Sequence, residues 1–179
     1  QWILTRYAAS TFNTCPHQPL PTMSGPPMAI RVSTEAKPVA TSRPVRVPAH
    51  WREQVAEQLE RDVALGVIER VPPGTPVTWL HNMVVTAKAD GTPRRTVDLQ
   101  ALNKVSVRET HHTVPPAKQA RSIPRNQLKT VTDAWNGYHS IPICTEDREK
   151  LTFITENGRY RYCRAPMGFL ASGTAQEGL

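Results

Sequence analysis

Proline restricts the fold of the first 48 residues more than any other feature of this chain. Eight of its 17 prolines lie there: Pro16, Pro19, Pro21, Pro26, Pro27, Pro38, Pro44 and Pro48. Proline lacks a backbone NH and has a fixed φ, so it interrupts helices and favours extended or turn backbone. We therefore predict little helix in residues 1–48, which form either an extended arm over a domain or a loose linker. Residues 49–179 form the domain.

A helical period begins after Trp51. Val55, Leu59 and Val63 recur every four residues, with charged residues between them. This spacing places the apolar side chains on one face of an α-helix. Gly66 follows as a stop signal, because glycine readily adopts the left-handed conformation in which many helices end.

Short β-type segments follow, and two pairs of them predict hairpins: residues 83–86 with 95–98, and residues 153–156 with 159–162. The second pair flanks Asn157-Gly158, a dipeptide that accepts positive φ at both positions of a two-residue turn. Further strand candidates lie at residues 128–133 and 140–143. The pattern predicts an α+β fold with a mainly antiparallel sheet.

The chain is basic, with 22 Lys and Arg against 15 Asp and Glu and a net charge of +7. Most of the excess lies between Lys88 and Lys129, where nine basic residues occur with three acidic ones. A concentrated positive charge favours a polyanionic partner such as nucleic acid. The alternative is a solvated basic face without a partner.

The spacing of the cysteines and the length of the apolar runs limit the class of protein further. Cys15, Cys144 and Cys163 are too widely spaced for a zinc site or a disulfide framework. We expect reduced thiols in an intracellular protein. No apolar run is long enough for a signal peptide or a membrane span, so we expect no membrane partner.

Asp133 is the first candidate for a metal-binding residue. It ends a β-type run and is followed by a turn that exposes backbone NH groups and the ring of Tyr138. A carboxylate beside such a turn could hold a hard cation next to a phosphate. The alternative is that Asp133 caps the turn and has no ligand.

Four ordered segments carry a family resemblance: LGVIE at residues 65–69, VVTAKADGTPRRTVDLQALN at 84–103, DAWNGY at 133–138 and GRYRYCRAPMGF at 158–169. In order and spacing they resemble the reverse transcriptases of gypsy-type retrotransposons and retroviruses. The resemblance implies a right-hand polymerase fold, here truncated to the fingers and part of the palm. It also implies an RNA-directed DNA polymerase from a Pol polyprotein.

The resemblance implies a catalytic role for Asp133, as one of three carboxylates that hold two Mg²⁺ ions, with the Ala134 carbonyl as an extra ligand. Lys88 and Arg94 would face the triphosphate of the incoming deoxynucleotide. Other contacts of the nucleotide and the nucleic acid are implied as follows: the amides of Asn136 and Gly137 on the triphosphate, Tyr138 under the deoxyribose, Met167 beside the nucleotide, and Arg95, Lys104, Arg121 and Arg125 on nucleic acid.

Each of these assignments has a structural alternative. Lys88 and Arg94 could be ordinary exposed charges, and Tyr138 could be a core aromatic. Asp98 is interpreted as structural, pairing with a nearby arginine. His111-His112 is interpreted as surface.

The sequence departs from the family in one respect that concerns activity. No YxDD-type motif, which would carry the other two carboxylates, occurs in the 179 residues. We therefore expect the chain alone to be inactive. The implied partners are an RNA or DNA template-primer, deoxynucleoside triphosphates and the rest of the Pol polyprotein (remaining palm, thumb, RNase H and integrase), in a cytoplasmic virus-like particle or the nucleus. The alternatives are a catalytically dead nucleic-acid-binding remnant and a pseudogene product.

Overall fold

The computed structural model describes residues 2–6, 22–107, 114–129 and 137–173. The helices are α1 (Trp2–Arg6), α2 (Arg52–Ala64), α3 (Gln100–Val105) and α4 (Pro116–Ser122), with 3₁₀ helices at Ala49–Trp51, Gly137–Ser140 and Thr145–Leu151. The strands are β1 (Ile68–Arg70), β2 (His81–Ala87), β3 (Pro93–Val97), β4 (Thr152–Thr155) and β5 (Gly158–Tyr162). Several predictions fall outside the described residues: those on Asp133, Ala134, Asn136 and His111-His112, and most of the strand candidate at 128–133.

The strands form one sheet in the order β1-β5-β4-β2-β3. All neighbouring pairs are antiparallel except β2 with β4, which run parallel. A parallel pair needs a long crossover connection, and here the chain between β2 and β4 includes β3, α3 and α4. The predicted α+β fold with a mainly antiparallel sheet is confirmed.

Helix α2 forms where the apolar period predicts it. Val55 and Leu59 are buried in the core. Beyond the helix, Gly66 has a φ of 67°, its NH donates to the Val63 carbonyl at 3.0 Å, and the Val67 NH donates to the Asp62 carbonyl at 2.9 Å. These two bonds make a Schellman motif, so the predicted glycine stop is confirmed.

Both predicted hairpins form, but the second turn lies one residue earlier than expected. Thr155 pairs with Gly158, so the two-residue loop is Glu156-Asn157 and not Asn157-Gly158. Only Gly158 has a positive φ in this turn, at 125°. The Thr155 hydroxyl accepts the Asn157 NH at 3.1 Å and donates to the Gly158 carbonyl at 3.0 Å, which stabilises this register.

Residues 22–48 run extended across the domain. Met28, Ile30 and Val47 are buried in its core. The Ile30 NH donates to the carboxylate of Asp147 at 2.8 Å, and Met28 forms an isolated bridge with Ile143. Among the described residues of 1–48, α-helix is confined to Trp2–Arg6.

Other differences from the sequence predictions are small. The sequence did not predict helices α3 and α4. In the strand candidate 140–143, Ser140 ends a 3₁₀ helix, and only Pro142 and Ile143 form isolated bridges. Cys144 and Cys163 are free thiols. No helix within the described ranges is both long and apolar enough to cross a membrane.

Candidate functional site

Hydrogen bonds within the loop of the β2–β3 hairpin fix its backbone conformation. The Lys88 NH donates to the Thr92 carbonyl at 2.9 Å. The Asp90 carboxylate accepts the NH of Thr92 at 2.9 Å and its hydroxyl at 2.6 Å, and these bonds lower the pKa of Asp90. Gly91 completes the turn with a φ of 79°. The loop therefore fixes the backbone that carries Lys88.

An ion pair fastens this hairpin to α2. The guanidinium of Arg95 lies 2.5 Å from the Asp62 carboxylate and donates to the Gln58 side chain at 3.0 Å. The two charged side chains are only 15% and 21% exposed. Because solvent screens such a pair weakly, it holds the hairpin against the helix. The predicted contact of Arg95 with nucleic acid stays a prediction, and in the structure its guanidinium is engaged by α2.

A cleft of about 540 Å³ opens between α2 and the hairpin. Its lining residues are Gln58, Arg61, Asp62, Lys88, Pro93, Arg94, Arg95, His139 and Met167. The structure thus brings together Lys88, Arg94 and Met167. Met167 lies more than 70 residues after the other two in the sequence. Within the described part of the chain, Arg61, Lys88 and Arg94 take part in no ion pair, so the cleft is positively charged.

The 3₁₀ helix Gly137–Ser140 supplies one wall of the cleft through His139. Burial lowers the pKa of His139 and the nearby Arg95 charge lowers it further, whereas Asp62 opposes this shift. Gly137 and Tyr138 directly precede His139 in the chain and are not lining residues. Tyr138 is partly buried and packs against the core. This is the arrangement expected if its ring is a core aromatic.

The remaining sequence-predicted residues lie elsewhere. Lys104, Arg121 and Arg125 are exposed on or after α3 and α4 and do not line the cleft. The expected pairing of Asp98 with an arginine is wrong: in the described structure its carboxylate makes no ion pair and accepts the Gln100 NH at 3.1 Å, at the start of α3.

Several cleft residues were missed by the sequence analysis. Gln58 and Asp62 are four residues apart, so they share one face of α2. That spacing could have identified a polar face, but only the fold shows that Arg95 lies opposite. Arg61 and His139 carried no local signal. The described residues contain no group of three or more His, Cys, Asp or Glu able to hold a metal ion.

The fold is that of the fingers and adjoining palm of a reverse transcriptase. The native crystal structure of the prototype foamy virus protease-reverse transcriptase matches 99% of this chain and 23% of its own length, with a TM-score of 0.81 and 19% identity. The foamy viral enzyme in complex with an RNA/DNA hybrid matches 99% of this chain and 23% of its own, with a TM-score of 0.82 and 19% identity.

In sequence, the chain is similar to Pol polyproteins of gypsy-type transposons from Drosophila melanogaster. It is 27% identical to that of transposon opus over 141 residues, which is 78% of this chain and 14% of the relative. It is 30% identical to that of transposon gypsy over 116 residues, 63% of this chain and 11% of the relative. The chain therefore spans about one seventh or less of these polyproteins. No family model matches it. The resemblance to gypsy-type reverse transcriptases is confirmed.

Proposed function

We propose that this chain is the fingers and first part of the palm of an RNA-directed DNA polymerase from a retrotransposon Pol polyprotein. The observation that carries the proposal is the convergence of Lys88, Arg94 and Met167 on one positively charged cleft. In this proposal the cleft receives the triphosphate of a deoxynucleotide while the polyprotein holds an RNA or DNA template-primer.

The charges of the cleft suit this ligand. Ammonium and guanidinium groups form charge-assisted hydrogen bonds with phosphate oxygens. They also stabilise negative charge as it develops on the leaving pyrophosphate. Lys88 is on a loop closed by its own hydrogen bonds, and Arg94 is exposed on β3. Both cations are therefore presented by a hairpin that Arg95 fastens to α2.

Asp133 and the Ala134 carbonyl are proposed to contribute to a Mg²⁺ site four and three residues before Gly137. Carboxylate and carbonyl oxygens are the donors that Mg²⁺ prefers. When bound, two such ions would activate a primer hydroxyl and stabilise the leaving group. Asp133 supplies one carboxylate of that site, and the others would come from outside the described residues.

Substitution of the two cleft cations tests the proposal. In a polyprotein that contains this chain, Lys88→Gln and Arg94→Gln should each raise the KM for deoxynucleotide or lower kcat/KM by about 10- to 100-fold, because each removes a charged hydrogen bond. Lys37→Gln is the matched control, since Lys37 is exposed, does not line the cleft and is not one of the predicted nucleic-acid contacts. Unchanged kinetics for both cleft variants would exclude the cleft as the triphosphate site.

The second candidate is nucleic-acid binding without synthesis. Residues 114–129 include no acidic residue. They carry four exposed basic side chains: Lys118, Arg121, Arg125 and Lys129. If this segment contacts phosphates, affinity of the purified chain for an RNA/DNA duplex should fall steeply with salt, because each contact releases counterions. Binding without any DNA synthesis by the parent polyprotein would favour this candidate over the polymerase.

A further inference from the structure

Met167 occupies an unusual place for an apolar side chain. It is 60% exposed and lines the positively charged cleft. The next residue, Gly168, has a φ of 88°, in the left-handed region that favours glycine. A tight turn therefore carries Met167 out of the core and into the cleft.

One side chain holds the backbone that follows Met167. The Asn103 amide of α3 donates to the Gly168 carbonyl at 2.8 Å and accepts the Leu170 NH at 2.9 Å. On the other side, the Ser172 hydroxyl donates to the Pro166 carbonyl at 2.8 Å. A side-chain amide can donate and accept at once, whereas a carboxylate can only accept and an alkyl group can do neither.

Packing fixes Asn103 itself. The preceding residue, Leu102, is fully buried, and Phe169 is 5% exposed within the same core. Helix α3 and the turn are thus held at a set distance, and the amide of Asn103 determines the path of the backbone between Met167 and Leu170. Because this path decides where the Met167 side chain lies, it shapes one wall of the cleft.

We infer that Asn103 is a positioning residue that places Met167 against the nucleotide in the cleft. The inference rests on the function proposed above for the nucleotide, but the position of Met167 can be measured without it. The polar partners of the triphosphate would remain Lys88 and Arg94. Met167 would supply an adaptable apolar contact, as flexible thioether side chains do.

Methyl NMR of the 179-residue chain labelled at methionine tests the positioning. The chain has four methionines; Met167→Leu assigns the Met167 signal. Asn103→Leu should shift the Met167 methyl resonance, while the signals of the buried Met28 and Met83 stay in place and report an intact fold. Lys104→Gln, a change at the next residue, should move none of them. An unmoved Met167 signal in Asn103→Leu would overturn the inference.

A second variant tests the inference in case Asn103→Leu does not fold. Asn103→Asp keeps the acceptor for the Leu170 NH and replaces the donor to Gly168 by a second acceptor. It should also shift the Met167 signal, and by less than Asn103→Leu if both fold. An unchanged signal in this variant would likewise overturn the inference.

A double-mutant cycle separates positioning from a general structural role. It is carried out in a polyprotein that contains this chain, with template-primer bound and deoxythymidine triphosphate as probe. Asn103→Leu and Met167→Ala should each weaken binding about fivefold, and the double variant should bind no more weakly than Met167→Ala alone. Additive losses would mean that Asn103 does not act through Met167. If the unaltered polyprotein does not bind the probe, the proposed triphosphate site fails, and the methyl spectra still decide whether Asn103 positions Met167.

Discussion

Neighbouring arginines of β3 differ in their surroundings because side chains alternate along a strand. Arg95 shares the face of Val85, its partner in β2, and its guanidinium is held by Asp62 and Gln58 of α2. Arg94 is exposed and lines the cleft with no ion pair in the described part of the chain. One arginine is therefore available to a ligand, and the next holds the hairpin against α2.

Stability measurements should separate the two arginines. Arg95→Gln should lower the free energy of unfolding by about 1–3 kcal/mol, since it leaves the Asp62 carboxylate without its partner in a poorly solvated place. Arg94→Gln should change it by less than about 0.5 kcal/mol. Urea denaturation of both variants gives the comparison, and equal losses would show that the ion pair does not hold the hairpin.

Asp133 yields the prediction with the largest effect on activity. If it binds Mg²⁺, Asp133→Asn should abolish DNA synthesis by the parent polyprotein on an RNA template. The fold should persist, because the substitution conserves side-chain size. Primer extension measures the first outcome and circular dichroism the second. Glu57→Gln on the exposed face of α2 is the control; near-normal synthesis by Asp133→Asn would refute the metal assignment.

A buried histidine connects β2 to the 3₁₀ helix Thr145–Leu151. Nε2 of His81 lies 3.0 Å from the Lys150 carbonyl, the ring stacks on Trp79 with centroids 6.1 Å apart, and the residue is 3% exposed. Burial lowers the pKa of His81 below the ordinary 6.5, despite the opposing hydrogen bond to Lys150. The folded state therefore favours the neutral ring.

This lowered pKa predicts a loss of stability in mild acid. Below pH 6.5 the unfolded chain takes up a proton on His81 that the folded chain resists, so the free energy of unfolding should fall as pH decreases from 6.5 towards the lowered pKa. His81→Asn should flatten this part of the profile, and His50→Asn, at an exposed position, should not.

The loss of stability caused by His81 occurs at a higher pH than the loss caused by protonation of carboxylates. The NH and hydroxyl of Thr78 hold the pKa of Glu149 below 4.5, so stabilisation by that carboxylate is lost only as pH falls below 4.5. His139 also has a lowered pKa and should contribute in the same window as His81. An unaltered profile between pH 6.5 and 4.5 in His81→Asn would contradict the assignment to His81.

The extended segment 22–48 contacts parts of the chain that are far away in sequence. Ile30 and Asp147 are 117 residues apart in sequence, and the buried carboxylate of Asp147 also pairs with Lys150. One acidic side chain thus holds the extended segment and the 3₁₀ helix before β4. The segment contributes Met28 and Ile30 to the core, so it is part of the fold that supports the cleft.

Asp147→Ala should therefore loosen the extended segment. It leaves the Ile30 NH without its acceptor, which costs about 1–3 kcal/mol for a buried donor. Hydrogen exchange should accelerate at residues 28–32 more than in α2. Glu146→Ala, at the exposed neighbouring position, is the matched control. Equal exchange in both variants would show that Asp147 does not fasten the segment.

Features that depend on a few neighbouring residues can be predicted from the amino-acid sequence. The four-residue apolar period and Gly66 specify α2 and its end, alternating β-type runs specify both hairpins, and four ordered segments indicate the reverse transcriptase fold. Lys88, Arg94 and Met167 were predicted from that resemblance, and they meet in one cleft.

Other features are contacts between residues far apart in the chain, and they depend on how the folded domain packs. The pairing of Arg95 with Asp62 and the hydrogen bonds of Asn103 to the turn after Met167 have no readable local signal. Each depends on which donors and acceptors the packed core brings within about 3 Å of each other. Local periodicity fixes where a helix or strand forms, whereas long-range contacts exist only after the chain has buried its apolar faces.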